Sequence, residues 1–255
     1  MPPKKRLLSE EIAEPSPLAK KRKISKKSVQ ISKQENQKSK QKREDKTSPK
    51  AKLGKIKKDS QRKEEVKRDK HGKLVFPDYP EFKPNLTPKE VLQAGSFGGT
   101  YYRPIKSSVT GEKYSGEWKE FPSDWFDGLS INKQVSSSTY HIDVNTYNVK
   151  CGGSLEMWES SGWIAKQGPY GWFQWYCRFY LGRRTDDDKR QIGRWSKCAG
   201  DKGRWRNNLI SKIVRSGCCH DNHGVSPVVR QTLQHWGYRL NKEDYEKGAK
   251  RVKAK

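Results

Sequence analysis

A chain of 255 residues that is only 31% hydrophobic and carries a formal net charge of +26 is too polar and too basic to be folded core throughout. It holds no apolar run of bilayer-spanning length and no apolar segment behind its basic N-terminus, so neither a membrane helix nor a secretory signal is indicated. Five cysteines, an odd number without regular spacing, fit reduced thiols in a nuclear or cytosolic compartment rather than a disulfide framework.

The charge is unevenly placed. Residues 1–73 hold 26 Lys+Arg against 10 Asp+Glu, net +16, with no Phe, Tyr or Trp, whereas the remaining 182 residues are net +10 and contain all nine tryptophans. We therefore expect a disordered Lys-rich arm over 1–73, one globular Trp/Arg-rich domain over 74–246 and a short basic tail over 247–255. Two clusters in the arm, Lys4-Lys5-Arg6 and Lys20-Lys21-Arg22-Lys23, are separated by 13 residues. That arrangement is similar to a bipartite nuclear localisation signal, which makes the import machinery an expected partner and the nucleus the expected location. Ser16-Pro17 and Ser48-Pro49 are candidate phosphorylation sites beside positive charge.

Beyond the arm, LVFPDYPEFKPNL from Leu74 alternates rings with prolines and predicts an extended strap laid along the core. Thr87-Pro88-Lys89-Glu90 is a capping box with Pro at the first helical position, and Gly95 closes the helix it starts. GSFGGTYYRPI then places three glycines beside Tyr101, Tyr102 and Arg103. The spacing matches neither a P-loop nor a dinucleotide fingerprint, so tight backbone packing is the favoured reading over a phosphate cradle. Residues 107–116 read as turns with short strands, 123–128 as one helical turn, and the alternation over 135–150 as one or two strands.

Ser154 caps a helix starting LEMWE. After it, PYGWFQWYCRFYLGRR (169–184) predicts a buried central helix: Pro169 fits the first helical position, Gly182 the stop, and Trp172, Trp175 and Phe179 recur at i, i+3 and i+7. Thr185 caps a helix opened by Asp186, Asp187 and Asp188, with Ile192 and Trp195 on one face and Gly200 at its end. Over 204–216, Leu209, Ile210, Ile213 and Val214 point inward and Arg204, Arg206, Lys212 and Arg215 outward. Ser226-Pro227 opens a further helix stopped by Gly237, and 241–247 adds a short one. The fold class is mainly α, with α+β as the alternative.

The strings GGTYYRPI, DWFDGL, KCGGSLEMWE, GWFQWYCRFYLGRR with DDDKRQIGRW, and SPVVRQTLQHWGY, in this order, resemble a family of uncharacterised eukaryotic proteins found in fungi, algae and protists. The resemblance covers about 76–245 and implies a common fold. It carries no activity, ligand or functional residue.

Several constellations offer chemistry. Cys218, Cys219, His220 and His223 are zinc-ligand types, but two adjacent cysteines rarely reach one tetrahedral ion and no second pair completes a site, so the stretch reads as a polar loop. Asp186, Asp187 and Asp188 beside Arg183, Arg184 and Arg190 are the residue types of a cation-assisted phosphodiester site, yet acids in a first helical turn are expected anyway. Asp124 with Asp127, and Glu156 with Glu159, show helical spacing without an identifiable acid/base couple. No nucleophile motif with diagnostic neighbours is present, His141 and His235 suit structural hydrogen bonds, and no cofactor or metal is called for.

What rises above background is cation mixed with ring: Arg178, Arg183, Arg184, Arg190, Arg194, Arg204, Arg206 and Arg215, interleaved with Trp195 and Trp205. Arginine suits bidentate phosphate contact and stacking on bases, so the expectation is a nuclear protein that binds DNA or RNA, the arm supplying electrostatic affinity and the helical domain docking. Two alternatives stand beside it. An enzyme acting on nucleic acid calls for a cleft joining Gly98-Gly99, Arg103 and 186–188; a protein-interaction module calls for an exposed aromatic patch.

Overall fold

The structure, a computed structural model, describes residues 66–253. Most of the Lys-rich arm, including both basic clusters and both Ser-Pro dipeptides, lies outside the described residues. Of those described, 45% are helical and 4% extended, which makes the class mainly α. Seven α-helices follow in order: α1 (Pro88–Gln93), α2 (Leu155–Ser160), α3 (Trp172–Tyr180), α4 (Asp188–Cys198), α5 (Arg204–Ser216), α6 (Pro227–His235) and α7 (Lys242–Lys253). A small antiparallel hairpin, β1 (Ile105–Lys106) with β2 (Lys113–Tyr114), pairs Ile105 with Tyr114.

The core is built around α3, in which every residue except Arg178 and Tyr180 is buried. Its rings are sealed by the strap: the Phe82 ring lies 5.2–5.6 Å from those of Phe76, Trp175, Tyr176, Phe179 and Trp195. Burying each such ring contributes about 2–3 kcal/mol. The strap's backbone is tied down as well, because Asn85 and Leu86 both donate to Gly237 O at 3.0 Å and Tyr176 Oη donates to Leu86 O at 2.6 Å.

Local signals set several boundaries. The Thr87/Glu90 capping box is present in full at α1, and Gly217 and Gly237, both at φ 65, terminate α5 and α6. The start of α3 is a correction, since the helix begins at Trp172 rather than at Pro169. Gly171, at φ 84 and ψ −149, makes a corner there that a helix cannot pass through, and a Cβ on it would stand 2.9 Å from Ile164 Cδ1. Thr185 also acts differently from a simple cap. Its amide and hydroxyl both donate to the Asp188 carboxylate, at 3.0 and 2.9 Å.

Residues 135–150 form no strand. Their backbone groups are spent on the Gly-rich turn instead: Tyr102 N donates to Val135 O, and Ser137, His141 and Thr146 donate to Gly99, Gly98 and Gly95 carbonyls at 2.9–3.1 Å. An alternating sequence needs a partner strand to become one, and here the partner is a turn. A Cβ at Gly99 would stand 1.9 Å from Lys133 O, and one at Gly98 would stand 2.6 Å from the Tyr140 ring. The glycines therefore serve close backbone packing.

The edges of the packed unit differ from the expected ones. Val66 is already buried, Arg68 pairs with Leu74 in a β-bridge, and Lys73 meets Asp244 at 2.9 Å. At the other end the expected tail is the second half of α7, where Gly248 and Ala249 are buried. The residues between 66 and 73, and those after 246, look like solvated polycation in sequence because their carboxylate partners lie far away along the chain.

Candidate nucleic-acid interface

Six of the eight arginines expected at the surface have their guanidiniums engaged inside the domain. Arg178 grips Glu120 through two hydrogen bonds of 2.9 and 2.8 Å and donates to Gln167 O at 2.7 Å. Arg184 pairs with Asp78, donates to Phe179 O and Arg183 O at 2.8 Å each, and lies 3.8 Å over the Phe179 ring. Arg190 clasps Asp187, the residue just before α4. Arg194 is placed between the Trp163 and Trp236 rings, 5.5 Å from each centroid.

Arg183 and Arg206 each enclose a guanidinium nitrogen that has no hydrogen-bond partner among the described residues. Arg183 reaches only Gln167 O, at 3.5 Å, and burial, helped by the charge of Arg178, pushes its guanidinium below the ordinary value. One of its terminal nitrogens is enclosed without a hydrogen-bond partner. Arg206 corrects the outward reading of 204–216: it is 2% exposed and pairs with Asp201 and Asp244 at 2.8 and 2.7 Å. Tyr238 Oη donates to the same Asp244 at 2.8 Å. Carboxylates from two other segments draw this arginine inward, where a lone charge would be prohibitively costly.

Arg204 and Arg215 remain exposed, and both belong to α5. The helix is amphipathic because Trp205, Leu209, Ile210 and Ile213 fill one side. Its opposite side carries Arg204, Asn208, Ser211, Lys212 and Arg215, which at 3.6 residues per turn fall within an arc of about 100°. There is no Asp or Glu anywhere in α5. The Arg204 guanidinium rests 4.8 Å from the Trp205 ring centroid, and Lys197 and Lys202 stand exposed before the helix begins. The nearest acid in sequence, Asp201, is already committed. Burial pushes its carboxyl up, but the charges of Arg206 and Lys247 outweigh that and hold it below the ordinary carboxylate range.

The arrangement sets three cations, with Asn208 and Ser211 between them, on one side of a single helix, suited to neutralising a row of phosphates. The sequence signal for it is the i, i+4, i+8, i+11 spacing of Arg204, Asn208, Lys212 and Arg215. Asn208 and the flanking lysines are the part that counting arginines misses.

The other constellations take structural roles. Asp188 is buried, accepting from Trp175 Nε1 at 2.8 Å as well as from Thr185, so its oxygens are taken. Asp124 pairs with Lys89, and Glu159 accepts from Ser107 and Ser108. In the 217–226 loop, Arg230 holds the Val225 and His220 carbonyls at 3.0 and 2.7 Å, while the His223 ring packs on Tyr147. Among the described residues no group of three His, Cys, Asp or Glu side chains is arranged to hold a metal ion. A shallow depression of about 300 Å³ is lined by Gln93, Gly95, Lys133, Gln134 and Asp143, not by Arg103 or residues 186–188.

Beneath the Gly-rich turn lies a buried polar layer. Gln234 Nε2 donates to Gly95 O, Ser96 Oγ and Thr146 Oγ1 at 2.9, 3.0 and 2.6 Å. His235 Nε2 accepts from Phe97 N at 2.9 Å, which places the proton of the neutral ring on Nδ1. Burial pushes its pKa down to about 3. The layer fixes the turn to α6 and leaves His235 enclosed rather than poised as a base.

No family model, curated protein or solved structure matches this chain.

Proposed function

We propose that the chain is a nuclear nucleic-acid-binding protein whose folded domain docks through the exposed face of α5. The observation that carries this reading is the carboxylate-free row of Arg204, Lys212 and Arg215 on one side of a single helix. Cations without a carboxylate partner among the described residues are free to displace counterions from a phosphate backbone, and a helix holds them in fixed register. The arm, with its two Lys/Arg clusters, adds sequence-tolerant affinity and directs import. The interaction-module alternative calls for an exposed aromatic patch, whereas every tryptophan is buried or half-buried.

The test is the salt dependence of binding. For the full chain, replacing Arg204, Lys212 and Arg215 together by Gln lowers the slope of log affinity against log salt by about 2 to 3, with circular dichroism unchanged. An unaltered slope in the folded variant overturns the proposal. For import, changing Lys20–Lys23 to Ala shifts a tagged protein toward the cytoplasm; full nuclear retention, even with Lys4–Arg6 also replaced, removes that part of the reading.

A further inference from the structure

We infer that α5 reads duplex DNA from the major groove and that Asn208 is the side chain that recognises a base there, an adenine. The inference rests on the nucleic-acid reading above and names its ligand.

Asn208 sits in the middle of the cationic face, four residues after Arg204 and four before Lys212, so it lies about 6 Å along the axis from each. It is exposed, and among the described residues its carboxamide has no hydrogen-bond partner. Its neighbour shows the contrast. Asn207 donates to Gly203 O at 2.9 Å and accepts from Arg251 at 3.5 Å, so one asparagine of the pair is spent on the fold and the other is left facing outward between cations.

A carboxamide offers one acceptor and one donor side by side, the complement of adenine N6 and N7 on the major-groove edge. The dimensions agree with that placement. A helix about 10–12 Å across fits lengthwise in the ~12 Å wide B-DNA major groove, and Arg204 and Arg215, about 16 Å apart along it, then reach phosphates at its two ends while Asn208 between them faces the base edges.

The same surface is poorly suited to the other nucleic acids. Single strands are held by exposed rings on which bases stack, and here the only large apolar side chains exposed among the described residues are Val75 and Ile142. In A-form RNA the major groove is too deep and narrow for side chains to read. A helix face bearing cations around one carboxamide matches the open groove of duplex DNA.

The experiment uses the full chain and a library of 20-base-pair duplexes with a randomised centre, the bound fraction being sequenced for wild type and for Asn208→Ala. Lysine clusters that neutralise phosphates carry no base readout, so such an arm enriches no base. Wild type enriches adenine at one position, and Asn208→Ala loses that enrichment and binds the selected site about tenfold or more weakly, with the salt slope preserved. Adenine enrichment that persists in Asn208→Ala, or no enriched position at all, overturns the inference. So does tighter binding of wild type to single-stranded RNA of the same length, an outcome that leaves the α5 docking reading intact. If no nucleic acid binds in an α5-dependent way, both fall.

Discussion

Arg206 and Asp244 stand 2.7 Å apart, and each side chain is only 3% exposed. Asp244 also receives Lys73 at 2.9 Å and the Tyr238 hydroxyl at 2.8 Å, so one carboxylate on α7 joins the start of the packed chain, α5 and the segment after α6. The pair orients α5 as well. With Arg206 held inward, the helix presents Arg204 on one side and Arg206 on the other although the two are only two residues apart.

Removing Asp244 leaves the buried Arg206 with only the exposed Asp201 as a carboxylate partner among the described residues. Asp244→Asn is expected to destabilise the fold by up to about 3–5 kcal/mol, while the double change Arg206→Met with Asp244→Leu costs less than the single one, because no buried arginine remains opposite the vacated site even though Lys73 and Tyr238 lose a partner in both. Urea unfolding of wild type and both variants checks the order. A double variant less stable than Asp244→Asn would show that packing, not charge compensation, governs this site.

His235 predicts a pH dependence with a definite sign. Its pKa falls from the ordinary 6.5 in the unfolded chain to about 3 in the fold, so between those values the unfolded chain binds a proton that the folded one refuses. Stability from this group is complete above about pH 6.5 and declines by up to about 1.4 kcal/mol per pH unit on acidification. The carboxylates held low, Asp69, Asp143, Glu159, Asp187 and Asp201, lose their contribution only at lower pH, which leaves the range between pH 5 and 6.5 diagnostic. Unfolding free energies there should fall for wild type and stay flatter for His235→Gln; equal slopes would remove the histidine from the account.

Arg183 and Arg184 follow a buried helix and look from sequence like a rigid phosphate clamp. The structure commits Arg184 to Asp78, two carbonyls and the Phe179 ring. Arg184→Gln is therefore expected to cost about 1–2 kcal/mol of stability and to leave the salt slope of the proposed nucleic-acid binding as in wild type. A loss of nearly one counterion with unchanged stability would return this arginine to the interface.

Much of the helical framework is determined by the sequence alone, because its signals act within a turn or two. The Thr87/Glu90 box, the apolar spacing of α5 and the glycine after α6 make the same hydrogen bonds whatever surrounds them. The aromatic density of 169–184 likewise demands a buried position. What only the tertiary structure decides is where long-range partners draw a residue: 135–150 follows a turn instead of a strand because its amides reach the Gly95–Gly99 carbonyls. The same holds for charge. Arg204 and Arg206 are the same residue type in the same local context, and one becomes buried scaffold because Asp201 and Asp244 converge on it, while the other stays exposed with no ion pair among the described residues. A periodicity tells which side of a helix is apolar; which of its cations will be left for a ligand depends on the acids that folding brings near.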